Sequence, residues 1–344
     1  MSRYLVTGAT GFLGTHLVAQ LREAGHEVVA LCRHTAHTAH TARTAGESSG
    51  LAELGVELRR GDILDAASVR EAAAGCEGLF HCAGKVSRRR EDAAELYRIH
   101  VDGTKVTLDA CREAGVRRAV IASTSGVVAV SKEPDVIEET AEPPMSIIAA
   151  WPYYRSKLYA ERAALDRSGP GFEVISVNPS LLLGPGDVNG SSTGDVLKFL
   201  EQKVPAVPAG GLSFVDARDA AAGMILAMQR GRPGERYLLG AANLTIEAFF
   251  GRLSRLSGVA APRLRMPRSI GLAKAGAHLL ERFQKHLPVD LPLDPVSAEM
   301  GQHYWYVDST KARRELGWTP RDPQDTLADT VQDLQARGLV WPSS

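Results

Sequence analysis

The segment VTGATGFLGTHL, residues 6–17, places three glycines between an apolar run and an amphipathic stretch. Gly8 would permit a tight turn, Gly11 a close backbone approach to a phosphate, and Gly14 close packing of helix on strand. Free N–H groups at the start of such a helix attract an anion. The spacing G-x-x-G-x-x-G differs from the common G-x-G-x-x-G. Its place between a strand and a helix nevertheless predicts the phosphate cradle of a dinucleotide-binding fold.

Strand-like and helix-like segments alternate through the first half of the chain, which is typical of right-handed βαβ units. This alternation predicts an α/β fold with a parallel sheet covered on both faces in residues 1–180. Residues 181–344 are predicted to form mostly a smaller C-terminal substrate-binding lobe, with some segments returning to the core. Residues 94–115 are predicted to be one long helix, and the Gly- and Ser-rich residues 181–195 a long loop.

Composition argues against several classes of protein. The formal net charge of zero gives no basic surplus for nucleic acid. The sequence contains no run of about 18 apolar residues, so no membrane span is expected. The start MSRYLVTGAT lacks the apolar core of a signal peptide. The spacing of the four cysteines fits neither a disulfide framework nor a zinc site. A cytoplasmic protein with reduced thiols is therefore expected.

A Thr-Ala-His repeat with a period of three begins at His34. His34, His37 and His40 would share one face only in a helix, and the threonines weaken that assignment. A solvated insertion is therefore favoured over a metal site, and no metal is expected.

The residues after the next strands bear on the nucleotide. Arg33 ends the second strand and no acidic residue stands there, which favours NADP(H) over NAD(H) because a guanidinium pairs with a 2′-phosphate. The alternative is an exposed arginine without a ligand. Asp62 could accept from an adenine amino group with Ile63 against the ring, or it could cap the next helix. After the fourth strand, the small residues Ala83 and Gly84 leave room for the cofactor to cross the sheet edge.

The segment WPYYRSK, residues 151–157, places two tyrosines before a lysine. Tyr153 and Lys157 are four residues apart and share a helix face, whereas Tyr154 pairs with Leu158. A nearby ammonium lowers the pKa of a phenol, which would suit Tyr153 for proton exchange with a carbonyl oxygen. This spacing is common by chance and gains weight from the glycine loop and a hydroxyl-rich strand end. Three hydroxyls there could hold a substrate oxygen: Ser123, Thr124 and Ser125.

Together these motifs resemble the extended short-chain dehydrogenase/reductase family. The matching segments run over nearly the whole chain: TGATGFLG, GDI, HCAG, STSG, YYRSK, NPSLLLGPGD, FVDARDAA and YVDSTKARRELGWTPR. The resemblance implies a Rossmann doubly wound domain, a nicotinamide cofactor and a Ser/Thr–Tyr–Lys site. Tyr153 would be the general acid/base, and Lys157 would tune it and bind the nicotinamide ribose. Ser125 fits the catalytic serine best, with Thr124 second. Relatives often dimerise, so a homodimer is a further expectation.

The resemblance also implies cofactor contacts, which we expect from Gly8, Thr10, Gly11, Phe12, Leu13, Gly14, Arg33, Asp62, Ile63, Cys82, Ala83, Gly84, Lys157, Asn178, Pro179 and Ser180. Two positions depart from the family pattern. His100 stands where many members carry Asn, which would change a contact between helix and cofactor. Gly84 stands where Ala is frequent, which would widen the pocket.

The segments NPSLLLGPGD and GGLS before FVDARD resemble the dihydroflavonol reductase and hydroxysteroid dehydrogenase branches. The later loops carry apolar residues and few arginines for a diphosphate, although the apolar residues could equally be core: Val86, Leu181, Leu182, Val188, Val204, Val207 and Leu212. We expect an NADP(H)-dependent oxidoreductase that reduces a ketone of an apolar or aromatic small molecule. Its substrate would contact Val86, Ser125, Tyr153 and Leu181. The alternatives are an NAD-dependent sugar-nucleotide epimerase/dehydratase and a non-catalytic nucleotide-binding member.

Overall fold

The computed structural model describes residues 1–33, 50–267, 271 and 295–340. Within these ranges ten strands form two sheets. The strands are β1 (Arg3–Thr7), β2 (Glu27–Cys32), β3 (Glu57–Arg60), β4 (Gly78–His81), β5 (Arg118–Ala122), β6 (Glu173–Pro179), β7 (Leu181–Leu183), β8 (Gly211–Asp216), β9 (Arg236–Leu239) and β10 (Ala242–Thr245).

The helices in the described ranges are α1 (Phe12–Glu23), α2 (Gly50–Glu53), α3 (Ala66–Ala73), α4 (Ala93–Tyr97), α5 (Gly103–Glu113), α6 (Met145–Ile148), α7 (Pro152–Leu165), α8 (Gly194–Leu200), α9 (Ala217–Arg230), α10 (Ile246–Ser257), α11 (Pro295–Met300) and α12 (Pro323–Ala336). Several ends follow from local chemistry. Helix α7 begins with Pro152, whose fixed φ and missing N–H suit the first helical position. Helix α10 is capped by the Thr245 hydroxyl, which accepts from Ala248 N, and it ends at Gly258 with φ 75°.

The larger sheet is parallel throughout, with strand order β3-β2-β1-β4-β5-β6-β9. One face is covered by α1 and α9, around buried side chains such as Leu17 and Met224. The other is covered by α3, α5 and α7, around side chains such as Val69 and Leu108. The expected α/β doubly wound Rossmann sheet is therefore confirmed. The strand order reverses between β1 and β4, and ligands of such sheets bind in the crevice at that point.

The smaller sheet has the order β10-β8-β7, with β10 antiparallel to β8 and β7 parallel to it. Its strands pack with α8, α10 and α12 around a separate apolar cluster that includes Phe199, Phe214 and Phe250. The proposed boundary at residue 180 falls between β6 and β7, which belong to different sheets. Strand β9 lies beyond that boundary and pairs with β6 at the edge of the larger sheet.

Two predicted elements differ from the structure. Residues 94–115 are not one regular helix, because a wider π turn over Arg98–Asp102 separates α4 from α5. The predicted loop over residues 181–195 begins with strand β7 and ends inside α8. Three consecutive leucines pair with β8 there. The glycines that follow them led the sequence analysis to predict a loop instead of a strand.

All four cysteines are free thiols, and Cys32, Cys76 and Cys111 are buried. The Thr-Ala-His repeat lies outside the described residues. Among the described helices, none combines the length and apolar character needed to cross a bilayer.

Candidate active site

The glycine loop leaves the carboxyl end of β1 and starts α1. Gly8 has φ 70°, and a Cβ at this position would lie 2.6 Å from the backbone N of Ala83. A Cβ at Gly14 would collide with the carbonyl oxygen of Gly8. The loop therefore forms a cradle whose backbone packs directly against the segment after β4 and the start of α1, which side chains at Gly8 and Gly14 would prevent. This shape fits a dinucleotide pyrophosphate.

The first turn of α1 contributes backbone groups, rather than side chains, to the cradle. Gly11 is the N-cap and has no side chain to bond the first N–H groups of the helix. Phe12 and Leu13 are buried with their side chains in the core, while Thr10 is exposed. Any contact from Phe12 or Leu13 to an anion would come from the backbone N–H groups.

The ends of β2 and β3 carry cations at the same corner of the sheet. Arg33 is exposed and follows Cys32 directly. Arg60, also exposed, is the register partner of Cys32 on the neighbouring strand. Sequence reasoning missed Arg60 because strand pairing, rather than spacing, brings it next to the end of β2.

Asp62 holds the turn after β3, where its Oδ1 accepts from Leu64 N at 2.9 Å. The alternative that Asp62 caps the next helix is wrong, because Asp65 is the N-cap and accepts from Ala67 N at 3.1 Å. Ile63 lies against the start of α5, where Gly103 leaves room for its side chain.

The segment after β4 is tied to the end of β1. Cys82 N donates to Thr7 O at 3.0 Å, and Ala83 N to the Thr7 hydroxyl at 3.4 Å. The Cys82 sulfur lies 3.7 Å from the Met224 sulfur, and burial raises the pKa of this thiol to about 12. Cys82 therefore lies beside the cradle as a protonated thiol.

Helix α7 carries Tyr153 and Lys157 beside the end of β5. Lys157 Nζ donates to the Ala122 carbonyl oxygen at 2.6 Å. Burial lowers the pKa of Lys157 to about 8, and the Glu161 carboxylate opposes this shift. Burial also raises the pKa of Tyr153, and Tyr154 acts in the same direction. The expected lowering of the Tyr153 pKa by Lys157 is thus not seen; at neutral pH the phenol keeps its proton.

The three hydroxyl residues after β5 have different surroundings in the structure. The Thr124 hydroxyl accepts from Gly126 N at 3.4 Å and caps the short 3₁₀ turn Ser125–Val127. Ser125 opens this turn, which packs against α7, and is 4% exposed. Ser123 is buried, and its hydroxyl has no partner among the described residues.

Glu161 is a functional candidate that sequence reasoning missed. It is fully buried on α7, one turn beyond Lys157. Its Oε2 accepts from the Ser176 hydroxyl at 3.0 Å and from Asn178 Nδ2 at 2.5 Å, and its Oε1 lies 2.9 Å from an Arg236 nitrogen. The spacing Tyr153, Lys157, Glu161, at i, i+4 and i+8, was the available signal.

Three of the expected cofactor contacts, Asn178, Pro179 and Ser180, lie at or directly after the end of β6. Asn178 donates its side-chain amide to Thr124 O at 3.1 Å and to Glu161, so both hydrogens already have protein acceptors. Its side chain therefore connects α7 to the strand end after β5. Pro179 is buried at the end of β6, and the buried Ser180 hydroxyl lacks a partner among the described residues.

An aromatic wall, defined as Trp151, Tyr154 and Trp305, stands next to Tyr153. Trp151 and Trp305 stack with centroids 5.5 Å apart, and Tyr154 meets Trp305 at 5.0 Å. Gly126 makes room for the Tyr154 ring, since a Cβ there would collide with it. Trp305 was missed, although the run Tyr304-Trp305-Tyr306 was a visible signal.

Most of the apolar loop residues serve as core. Leu181, Val204, Val207 and Leu212 belong to or pack against the apolar cluster of the smaller sheet, and Leu182 packs against the core of the larger sheet. Val86 and Val188 are exposed. Of the two predicted apolar substrate contacts, Val86 is exposed, whereas Leu181 is partly buried against the cluster of the smaller sheet.

An ion pair joins the segment after β4 to α8. Arg88 contacts Asp195 at 2.8 Å and donates to the Ser297 hydroxyl at 2.9 Å. Burial raises the pKa of Tyr154 to about 12, with Arg88 opposing and Asp195 reinforcing the shift. The pair therefore acts electrostatically on Tyr154.

The chain is similar to known proteins over almost its whole length. The sequence model of the NAD dependent epimerase/dehydratase family matches residues 4–240. A putative dihydroflavonol 4-reductase from Synechocystis sp. (strain ATCC 27184 / PCC 6803 / Kazusa) is 33% identical over 343 residues, covering 98% of this chain and 96% of the relative.

A 4-hydroxy-2-methyl-3-oxo-4-farnesyl-3,4-dihydroquinoline-1-oxide ketoreductase from Stigmatella aurantiaca is 30% identical over 349 residues, covering 98% of this chain and 97% of the relative. The crystal structure of gox2253 superposes with a TM-score of 0.82 at 28% identity, over 99% of this chain and 100% of the other.

Proposed function

Because this chain belongs to the NAD dependent epimerase/dehydratase family, we propose that it is an NADP(H)-dependent oxidoreductase that reduces a ketone of an apolar or aromatic small molecule to an alcohol. Two relatives named as a dihydroflavonol 4-reductase and a ketoreductase support reduction. The observation that carries the substrate class is the aromatic wall beside Tyr153. Trp151 is 2% exposed, so a flat or apolar ring system would pack against the partly exposed Tyr154 and Trp305 and displace water from the reacting carbonyl.

The cofactor fits the residues present. The cradle of Gly8, Gly11 and Gly14 would hold the pyrophosphate, since Gly8 and Gly14 allow the close backbone packing of the loop and Gly11 leaves the first N–H groups of α1 without a side-chain cap. Arg33, with Arg60 beside it, would pair with the 2′-phosphate of NADP(H). Lys157 would bind the nicotinamide ribose and Asp62 the adenine. When bound, the reduced nicotinamide supplies the hydride for the carbonyl carbon.

Tyr153 would donate its proton to the ketone oxygen. Its raised pKa keeps the phenol protonated at neutral pH, which is the form that reduction requires. The positive charge of Lys157, on the same face of α7, would favour the phenolate left behind against the burial that raises its pKa, and solvent would return the proton. Lys157 carries that charge below its pKa of about 8.

Ser125 would donate a hydrogen bond to the same substrate oxygen and stabilise its developing negative charge. The Thr124 hydroxyl already accepts from Gly126 N in capping the turn. Ser125 is therefore the better candidate of the two for this role.

The test is a panel of aromatic and apolar ketones and of sugar nucleotides, incubated with purified protein and NADPH or NADH. We expect loss of NADPH absorbance with at least one ketone and an alcohol product. Conversion of a sugar nucleotide by protein that retains NAD, without net redox change, would show that the protein is an epimerase. Nucleotide binding with no turnover of the whole panel would count against an enzyme.

A further inference from the structure

The π turn between α4 and α5 carries a buried histidine that the proposed mechanism does not use. His100 is 2% exposed and lies between the segment after β4 and α7. Its Nε2 is 3.1 Å from the backbone N of Lys85, and its Nδ1 is 2.8 Å from the Ser156 hydroxyl. Single π turns inside helices are frequent at functional sites.

The partners of His100 determine which ring nitrogen carries the proton. A backbone N–H can only donate, so Nε2 accepts from Lys85. The neutral ring must then carry its hydrogen on Nδ1 and donate to the Ser156 hydroxyl. That hydroxyl in turn donates to the Tyr153 carbonyl oxygen at 2.8 Å. The hydrogen bonds thus run in one direction, from the segment after β4 to the residue proposed to give the proton.

The surroundings keep the ring neutral. Burial lowers the pKa of His100 to about 3, and the Lys157 ammonium and His81 act in the same direction. The Lys85 side chain turns away from the ring to Glu95 and Asp92, at 2.6 and 3.4 Å. The ring also meets Tyr153 edge to face, with centroids 5.6 Å apart.

Gly84 gives this imidazole its space. A Cβ at residue 84 would lie 3.3 Å from His100 Nε2, closer than ordinary van der Waals contact. The two departures from the family pattern, histidine at 100 and glycine at 84, are therefore neighbours in space, next to His100 Nε2. A shorter asparagine at 100 would leave room for alanine at 84.

We propose that His100 is a positioning residue, matched to Gly84, that holds the segment Gly84–Val86 in register with Tyr153. This role rests on the proposed function, because it supposes that this segment borders the nicotinamide and that Tyr153 gives the proton. Without the hydrogen bonds of His100, the segment Gly84–Val86 and Tyr153 on α7 could shift relative to each other. Small shifts of reacting groups lower the reaction rate by large factors.

The first test replaces His100 and Gly84, singly and together. We expect His100→Asn alone and Gly84→Ala alone each to lower kcat about tenfold with NADPH saturating, and the double variant to recover to within about threefold of the parent. A double variant whose loss equals the product of the single losses would overturn the match. His26→Phe is the control: this histidine accepts from Ser2 N at the opposite edge of the sheet, and its replacement should leave kcat unchanged.

The second test does not depend on any ketone. In ¹⁵N-histidine spectra of the full-length protein, His100 should show a protonated Nδ1 and an unprotonated Nε2, the less common neutral form. A proton on Nε2 would overturn the proposal. If no ketone is reduced, the proposed function fails. The His100 and Gly84 variants can then still be compared by their NADPH affinity. The spectra still report which ring nitrogen of His100 carries the proton.

Discussion

The rings of Tyr153 and Tyr154 meet edge to face, with centroids 5.0 Å apart and planes at 85°. Adjacent residues on a helix point about 100° apart, so neighbours in sequence enter different surroundings. Tyr154 packs against Gly126 and Trp305. Tyr153 instead meets the His100 ring edge to face and lies four residues before Lys157 on α7. The pair therefore separates into a wall residue and a proposed proton donor.

This separation predicts unequal effects of removing each hydroxyl. Tyr153→Phe should lower kcat for ketone reduction by about a thousandfold, because no proton donor remains. Tyr154→Phe keeps the ring against Trp305 and should stay within about fivefold of the parent enzyme. Steady-state kinetics of both variants, with melting temperatures as a check on folding, decide the matter. Similar losses in kcat would refute the assignment.

The two strand-end hydroxyls should also behave differently. Ser125→Ala should lower kcat by about a hundredfold, as expected for losing one donor to a developing oxyanion. Thr124→Ala removes the cap on Gly126 N and should lower the unfolding free energy by about 1 kcal/mol, with kcat within a few fold. Kinetics and denaturant unfolding of both variants measure these effects. The opposite pattern would assign the role to Thr124.

Arg33→Ala should weaken binding of NADPH by about thirtyfold or more and leave NADH nearly unchanged, since only NADPH has the 2′-phosphate. Fluorescence titration of both nucleotides gives the ratio. Arg117 is an exposed arginine just before β5, at the other edge of the sheet, and Arg117→Ala should alter neither affinity. An unchanged NADPH/NADH ratio in Arg33→Ala would remove the support for NADP(H).

Two helical glycines provide a matched test of the cradle. Gly14→Ala places a Cβ against the Gly8 carbonyl oxygen, so nucleotide affinity should fall about a hundredfold or more. Gly251→Ala, in α10, meets only the tip of Arg255 at 3.7 Å and should raise the unfolding free energy by up to about 1 kcal/mol. Calorimetric titration with NADPH measures the affinities. Full affinity in Gly14→Ala would place the pyrophosphate elsewhere.

The pH dependence of reduction should follow Lys157. With a pKa of about 8, the ammonium is present at lower pH and is lost as the pH rises through that value, so activity should fall on the alkaline side. Glu161→Gln removes the carboxylate that raises this pKa. The alkaline limb should therefore move to lower pH, by about one unit.

Ser176→Ala is the control for Glu161→Gln, because it removes a hydrogen bond to the same carboxylate without changing its charge. Its pH profile should match that of the parent enzyme, although its melting temperature should fall. An alkaline limb that stays in place in Glu161→Gln would show that Glu161 does not act through Lys157.

The sequence by itself determined the alternation of strands and helices, the glycine cradle after β1 and the four-residue spacing of Tyr153 and Lys157. These features are local: periodicity reports which face is buried, and short spacings report which side chains share a helix face. The strand β7 was missed because glycines follow it closely, and the π turn because no sequence period marks it.

Only the tertiary structure brought together residues far apart in the chain. Arg60 stands beside the end of β2 because β2 and β3 pair, Glu161 reaches Thr124 through Asn178, and Gly84 makes room for His100. None of these contacts follows from spacing. They arise because the carboxyl ends of parallel strands share one edge of the sheet, and because α7 packs across that edge where the ends of β5 and β6 meet it.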